Sequence, residues 1–141
     1  MNKNKIDALI PNAYLVLNDV GIVEDGKKID KAWQGQIASF GASIAQGSLL
    51  AAVSFFSAKS EKTKVDDRSK LTVAMFKLLD DTDKNGSNSL FEYVEKKKKA
   101  GKEHEAKENI LNIAIALKLA MNLYELGRGT KNGAESSENE S

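Results

Sequence analysis

Between Glu105 and Leu126 the apolar residues recur at three- and four-residue spacing, and this pattern constrains the chain more than any other feature it has. Ile110, Ile113, Ala114, Leu117, Ala120, Met121 and Tyr124 form one stripe at the roughly 100° per residue of a helix. That stripe is a core face. Leu111, Ile115, Leu119, Leu123 and Leu126 form a second, beyond a polar margin of Lys118, Asn122 and Glu125. A surface helix needs only one stripe. A helix with two either runs through the centre of a bundle or presents its second stripe to another chain.

The remainder reads the same way. One proline and few alternating apolar-polar runs point to helices punctuated by glycines and charged clusters. A first helix is expected from about Ile6 to Asp19, with Pro11 placed to kink or restart it. Gly21 to Gly26 reads as a loop. A second helix begins near Ile29 and carries Ile29, Trp33, Ile37, Phe40 and Ile44 on one face. Gly47 ends it, and Ser48 can cap a third helix, Leu49 to about Lys59, through its hydroxyl. That helix is apolar almost all round, which predicts a place in the bundle centre. Ser60 to Arg68 is a polar linker, Ser69 to about Asp80 a fourth helix, and Asp81 to Ser89 a loop. Leu90 to Lys99 is a short helix whose closing lysines complement the negative end of its dipole.

The expected fold is therefore all-α: a single-domain bundle of five to six helices with a long C-terminal helix. Residues 1–128 form the bundle, and residues 129–141 a disordered tail poor in apolar side chains. A chain of 141 residues is long enough to bury one continuous core.

Cysteine is absent, which leaves no disulfide framework, thiolate metal site or cysteine nucleophile. The charged N-terminus is followed by Asp7, Pro11, Asn12 and Asn18 rather than an apolar run, so no signal peptide is read. No stretch approaches about 18 consecutive apolar residues, so no membrane span is expected. A cytoplasmic location fits these features. The net charge of +1 argues against a strongly basic nucleic-acid wrapper but leaves room for a local basic patch.

The segment Ile37-Ala38-Ser39-Phe40-Gly41, continued by Ile44 to Lys59 (Ile-Ala-Gln-Gly-Ser-Leu-Leu-Ala-Ala-Val-Ser-Phe-Phe-Ser-Ala-Lys), resembles the small helical subunit of type III-B CRISPR effector complexes, the Cmr-type RNA-targeting assemblies. In that family a helix ends on an apolar residue and a glycine-leucine turn follows. The next helix carries small residues and a phenylalanine and closes on a small residue and lysine. Here Ser48 separates Gly47 from the leucines, and the last helix offers Lys118 and Arg128 where the family carries tryptophan and denser basic residues.

The resemblance implies a non-catalytic structural subunit in antiviral defence, without a cofactor, that stacks with copies of itself along the guide RNA–target RNA duplex. Its implied partners are the other effector subunits, the guide RNA and a single-stranded target RNA, and no membrane. Such a subunit needs cations on its surface, because phosphate neutralisation supplies most sequence-independent affinity. The candidates are Lys59, Lys62, Lys64, Arg68, Lys118 and Arg128, with a basic face expected jointly from the third and the last helix. Lys96 to Lys99 is a denser positive run, but flanking glutamates make it read as an ordinary charged helix face.

A rival signal runs from Asp81 to Glu92, Asp-Thr-Asp-Lys-Asn-Gly-Ser-Asn-Ser-Leu-Phe-Glu, which fits the EF-hand calcium-loop pattern. Asp81, Asp83, Asn85, Ser87 and Glu92 would supply the oxygens calcium needs, and Gly86 the sharp turn. Against it, Asn88 stands where an aliphatic residue usually pairs with a second hand, no second loop is present, and the same residue types favour a plain turn. An EF-hand-like calcium-binding module is thus the alternative. Catalysis has little support: the lone His104 has no second histidine at metal spacing, Asp66-Asp67 and Asp80-Asp81 show no sign of a shared cleft, and no nucleophile elbow or phosphate loop occurs.

Overall fold

The helix foreseen near the C-terminus is the axis of the molecule. The computed structural model describes residues 2–58 and 67–127, and 71% of these are helical. In chain order they form α1 (Lys3–Asp19), β1 (Val23–Glu24), β2 (Lys28–Asp30), α2 (Ala32–Gln46), α3 (Leu49–Ser57), α4 (Ser69–Leu78), α5 (Asp81–Lys84), α6 (Leu90–Lys99), α7 (Glu103–Met121) and β3 (Glu125–Gly127). The fold is a helical bundle carrying one small three-stranded sheet.

α7 packs against α1, α2, α4 and α6. Ile110, Ile113, Ala114, Leu117, Ala120 and Met121 are buried as their spacing predicts, and Tyr124, just past the helix, is buried too. Burial of each large aliphatic side chain contributes about 1.5–3 kcal/mol. The second stripe divides. Leu111 and Ile115 pack against the core, whereas Leu119, Leu123 and Leu126 stay exposed.

α1 lies beside α7 and runs in the same direction. The Asn2 N–H donates to the Asn112 side-chain oxygen at 3.1 Å. Near the other end, the Tyr124 hydroxyl donates to the Tyr14 carbonyl at 2.5 Å, and the two rings stack with centroids 4.4 Å apart. Asn2 also caps α1 by accepting the Lys5 N–H, satisfying one of the orphan donors of the first turn. The helix continues through Pro11.

Outside the Asp81 segment, four stretches depart from the sequence reading. Ile29 is not the first residue of the second helix but sits in β2. The stretch read as a loop from Gly21 contains β1, joined to β2 through Asp25 and Gly26, both at positive φ, the conformation that a tight hairpin requires. α7 ends at Met121 rather than at Leu126, because the following backbone pairs elsewhere: Glu125 N–H donates to the Lys27 carbonyl and Lys31 N–H to the Gly127 carbonyl, so that β3 adds in parallel to β2. Finally, α3 is not central. It buries Leu49, Ala52, Val53 and Phe56 but leaves Phe55 60% exposed.

Ser48 does cap α3, its hydroxyl accepting the Ala51 N–H at 2.9 Å. The core is aliphatic around a few large aromatics, with Trp33, Tyr93, Phe40 and Phe56 all fully buried.

Candidate nucleic-acid interface

Of the six expected cations, Arg68 and Lys118 fall within the described residues; Lys59, Lys62, Lys64 and Arg128 lie outside them, as do Asp66 and the proposed tail. Arg68 precedes α4, and its guanidinium lies 4.4 Å from the centroid of the Phe55 ring and 5.6 Å from that of Phe56. Phe56 is held from behind by Phe40, edge to face at 5.2 Å, so it stays in the core while Phe55 turns outward. A cation over an aromatic face is attracted by the ring quadrupole. The Arg68 Nε is buried without a hydrogen-bond partner, so the aromatic contact is its visible anchor. The pair links the end of α3 to the start of α4.

Lys118 is exposed in the last turn of α7, next to the equally exposed Leu119. There it complements the helix dipole. The main neighbours of α3 are α2, α4 and α6, so Arg68 and Lys118 belong to different packing units rather than to one seam between α3 and α7.

The Asp81 segment is not an open loop. Asp80 caps α5 by accepting the Asp83 N–H at 2.8 Å, and Asp81 to Lys84 form its single turn. Asn85 and Gly86 follow at positive φ, where Asn and Gly are tolerated best. Lysines meet the oxygens that calcium would need. Lys84 lies 3.9 Å from the Asp81 carboxylate, and Lys96 donates to the Asn85 carbonyl at 3.3 Å. Glu92 is turned to the Asn88 N–H at 2.5 Å, while Ser89 caps α6 by accepting the Glu92 N–H at 3.1 Å. The two contacts resemble a capping box. Among the described residues, no three acidic, histidine or cysteine side chains come together as a metal ion requires.

Sequence reasoning missed a cleft of about 370 Å³ between α5, α6 and the start of α7, into which Lys84, Lys96, Lys97 and Lys102 converge. Lys97 pairs with Glu105, which raises the lysine's affinity for its proton and lowers that of the carboxylate. Asp83, on the same wall, is pushed up, first by burial and then by the Asp80 charge. Lys98 and Lys99 of the four-lysine run do not line this cleft, and Lys99 lies 3.9 Å from Glu95. The signal was present as a sum of lysines spaced across three elements, which no single-helix pattern reveals.

His104 is exposed, and Asp67 accepts a hydrogen bond from the Ser69 hydroxyl. Among the described residues no helix is long and apolar enough to cross a membrane. Comparison of this chain with protein-family models, with curated proteins and with solved structures finds no match.

Proposed function

We propose that this protein is a non-catalytic structural subunit of a type III-B CRISPR ribonucleoprotein, placed along the guide RNA–target RNA duplex and touching the RNA backbone through basic residues. The observation that carries the reading is the Arg68–Phe55 pair. It joins the start of α4 to the end of α3, the helix in which the family resemblance is strongest, and leaves an aromatic ring exposed beside a fixed guanidinium. Aromatic faces and arginine planes are the groups on which single-stranded bases stack. Residues 59–66, flanked by this pair in the sequence, add Lys59, Lys62 and Lys64.

Two further features support it. The boundary between α2 and α3 falls at Gly47-Ser48, the turn on which the resemblance rests. The exposed Leu119, Leu123 and Leu126 provide apolar surface of the kind that neighbouring subunits cover.

The test is reconstitution. A guide-bound effector complex lacking its small subunit should take up the chain in a co-sedimentation assay, with uptake increasing when target RNA is present. A chain that remains in the supernatant at every concentration, with and without target, would contradict the proposal.

A further inference from the structure

We propose that the cleft between α5, α6 and the start of α7 is a binding site for a phosphoryl group. Two independent features converge on it. The first is charge: Lys84, Lys96, Lys97 and Lys102 line the cleft against two carboxylates, Asp83 and Glu105, leaving it electropositive. Lys84 and Lys97, with side chains 24% and 17% exposed, are paired with Asp81 and Glu105, so Lys96 and Lys102 are the cations of the cleft left to meet an anion.

The second is an unanswered donor. Ser87 lines the same cleft, is 7% exposed, and its hydroxyl has no hydrogen-bond partner. A buried hydroxyl without a partner costs stability. An anionic oxygen seated in the cleft would accept its proton.

The opening is also of a size suited to a phosphoester rather than a bare ion.

The lysine that reaches Asn85 and the ion pair of Lys97 with Glu105 hold the walls in place, so the site is formed before any ligand arrives. The phosphoryl group can come from a nucleic-acid backbone or from a small phosphoester, and the two share the same recognition chemistry. This site is separate from Arg68, Phe55 and Lys118, and it does not rest on the effector-complex reading.

The experiment titrates the full chain with inorganic pyrophosphate at low ionic strength, following heat by calorimetry and the backbone amides by NMR. Saturable binding is expected, with the largest shifts at residues 82–87. Ser87→Ala should weaken it about fivefold, and the double variant Lys96→Gln/Lys102→Gln about tenfold or more. Because Ser87→Ala removes an unpaired buried hydroxyl, its melting temperature should equal or exceed that of the parent, which separates a lost ligand contact from a lost structural one. Absence of saturable binding, shifts spread over lysines throughout the surface, or variants that bind as the parent does would each overturn the proposal. Competition by a short single-stranded RNA would assign the phosphoryl group to nucleic acid, and its absence to a small phosphoester; the site is supported in both cases. Pyrophosphate binding retained while Arg68 and Lys118 variants lose RNA would leave this inference standing alone.

Discussion

Ser89 and Asp83 show how single side chains set the local structure around α5 and α6. The Ser89 hydroxyl satisfies the Glu92 N–H, one of the donors a helix start leaves without a partner. Ser89→Ala is expected to destabilise the protein by about 1 kcal/mol, read by urea unfolding monitored by circular dichroism; an unchanged midpoint would show that the cap carries no weight. Asp83 acts in the opposite sense. Burial and Asp80 raise its affinity for a proton in the folded state, so the folded chain binds that proton at pH values where the unfolded chain has released it. Its charged form is therefore a burden that is absent at acidic pH and grows as pH rises through its raised folded value. Asp83→Asn should raise the melting temperature by about 2 °C at neutral pH, and the gain should vanish below the carboxylate range. A gain of equal size at every pH would refute this account.

Caps of this kind were legible in the chain, since Ser48 needs only its position before an apolar run. Asp30 was not. Its carboxylate is buried and accepts the Ala32 N–H at 2.9 Å, yet nothing in the sequence distinguishes it from a surface aspartate until β2 and α2 are known to meet there.

At the scale of elements, helix periodicity succeeded where the helix decides its own course and failed where a distant segment intervened. α4, α6 and most of α7 lie where their spacing placed them, because one apolar face and one polar face were enough to define them. Ile29 and Leu126 carried the same helical spacing but belong to strands, paired with each other across the sheet. Strand pairing between residues so far apart in sequence leaves no local trace, although Asp25-Gly26 was a hairpin signal available in the chain. α3 failed for a different reason. Its composition predicted burial all round, and the bundle supplied partners on one side only, leaving Phe55 for Arg68.

The cleft beneath α6 belongs to the same lesson. Lys96 and Lys97 sit in a run that looks like any solvated charged face, Lys84 lies well before it, and Gly101 separates Lys102 from it. Only the packing of α6 on α7 brings them round Ser87.

For the whole molecule, the class was readable and the exposure of the second apolar stripe was not. A mostly helical chain with one long central helix follows from the apolar pattern alone, whereas the fate of its second stripe depends on neighbours: Leu111 and Ile115 are covered within the chain, and Leu119, Leu123 and Leu126 remain open. The central claim is that this surface and its cations serve assembly on RNA. It is tested most directly by measuring the affinity of the chain for single-stranded RNA across a salt series, for the parent and for Arg68→Gln/Lys118→Gln, each with calcium and with a chelator. Affinity that falls with salt, a slope reduced by about 0.7 for each phosphate contact removed, and indifference to calcium are the predicted results. RNA affinity that ignores both salt and the double substitution, or a structural change that appears only with calcium, would contradict the account.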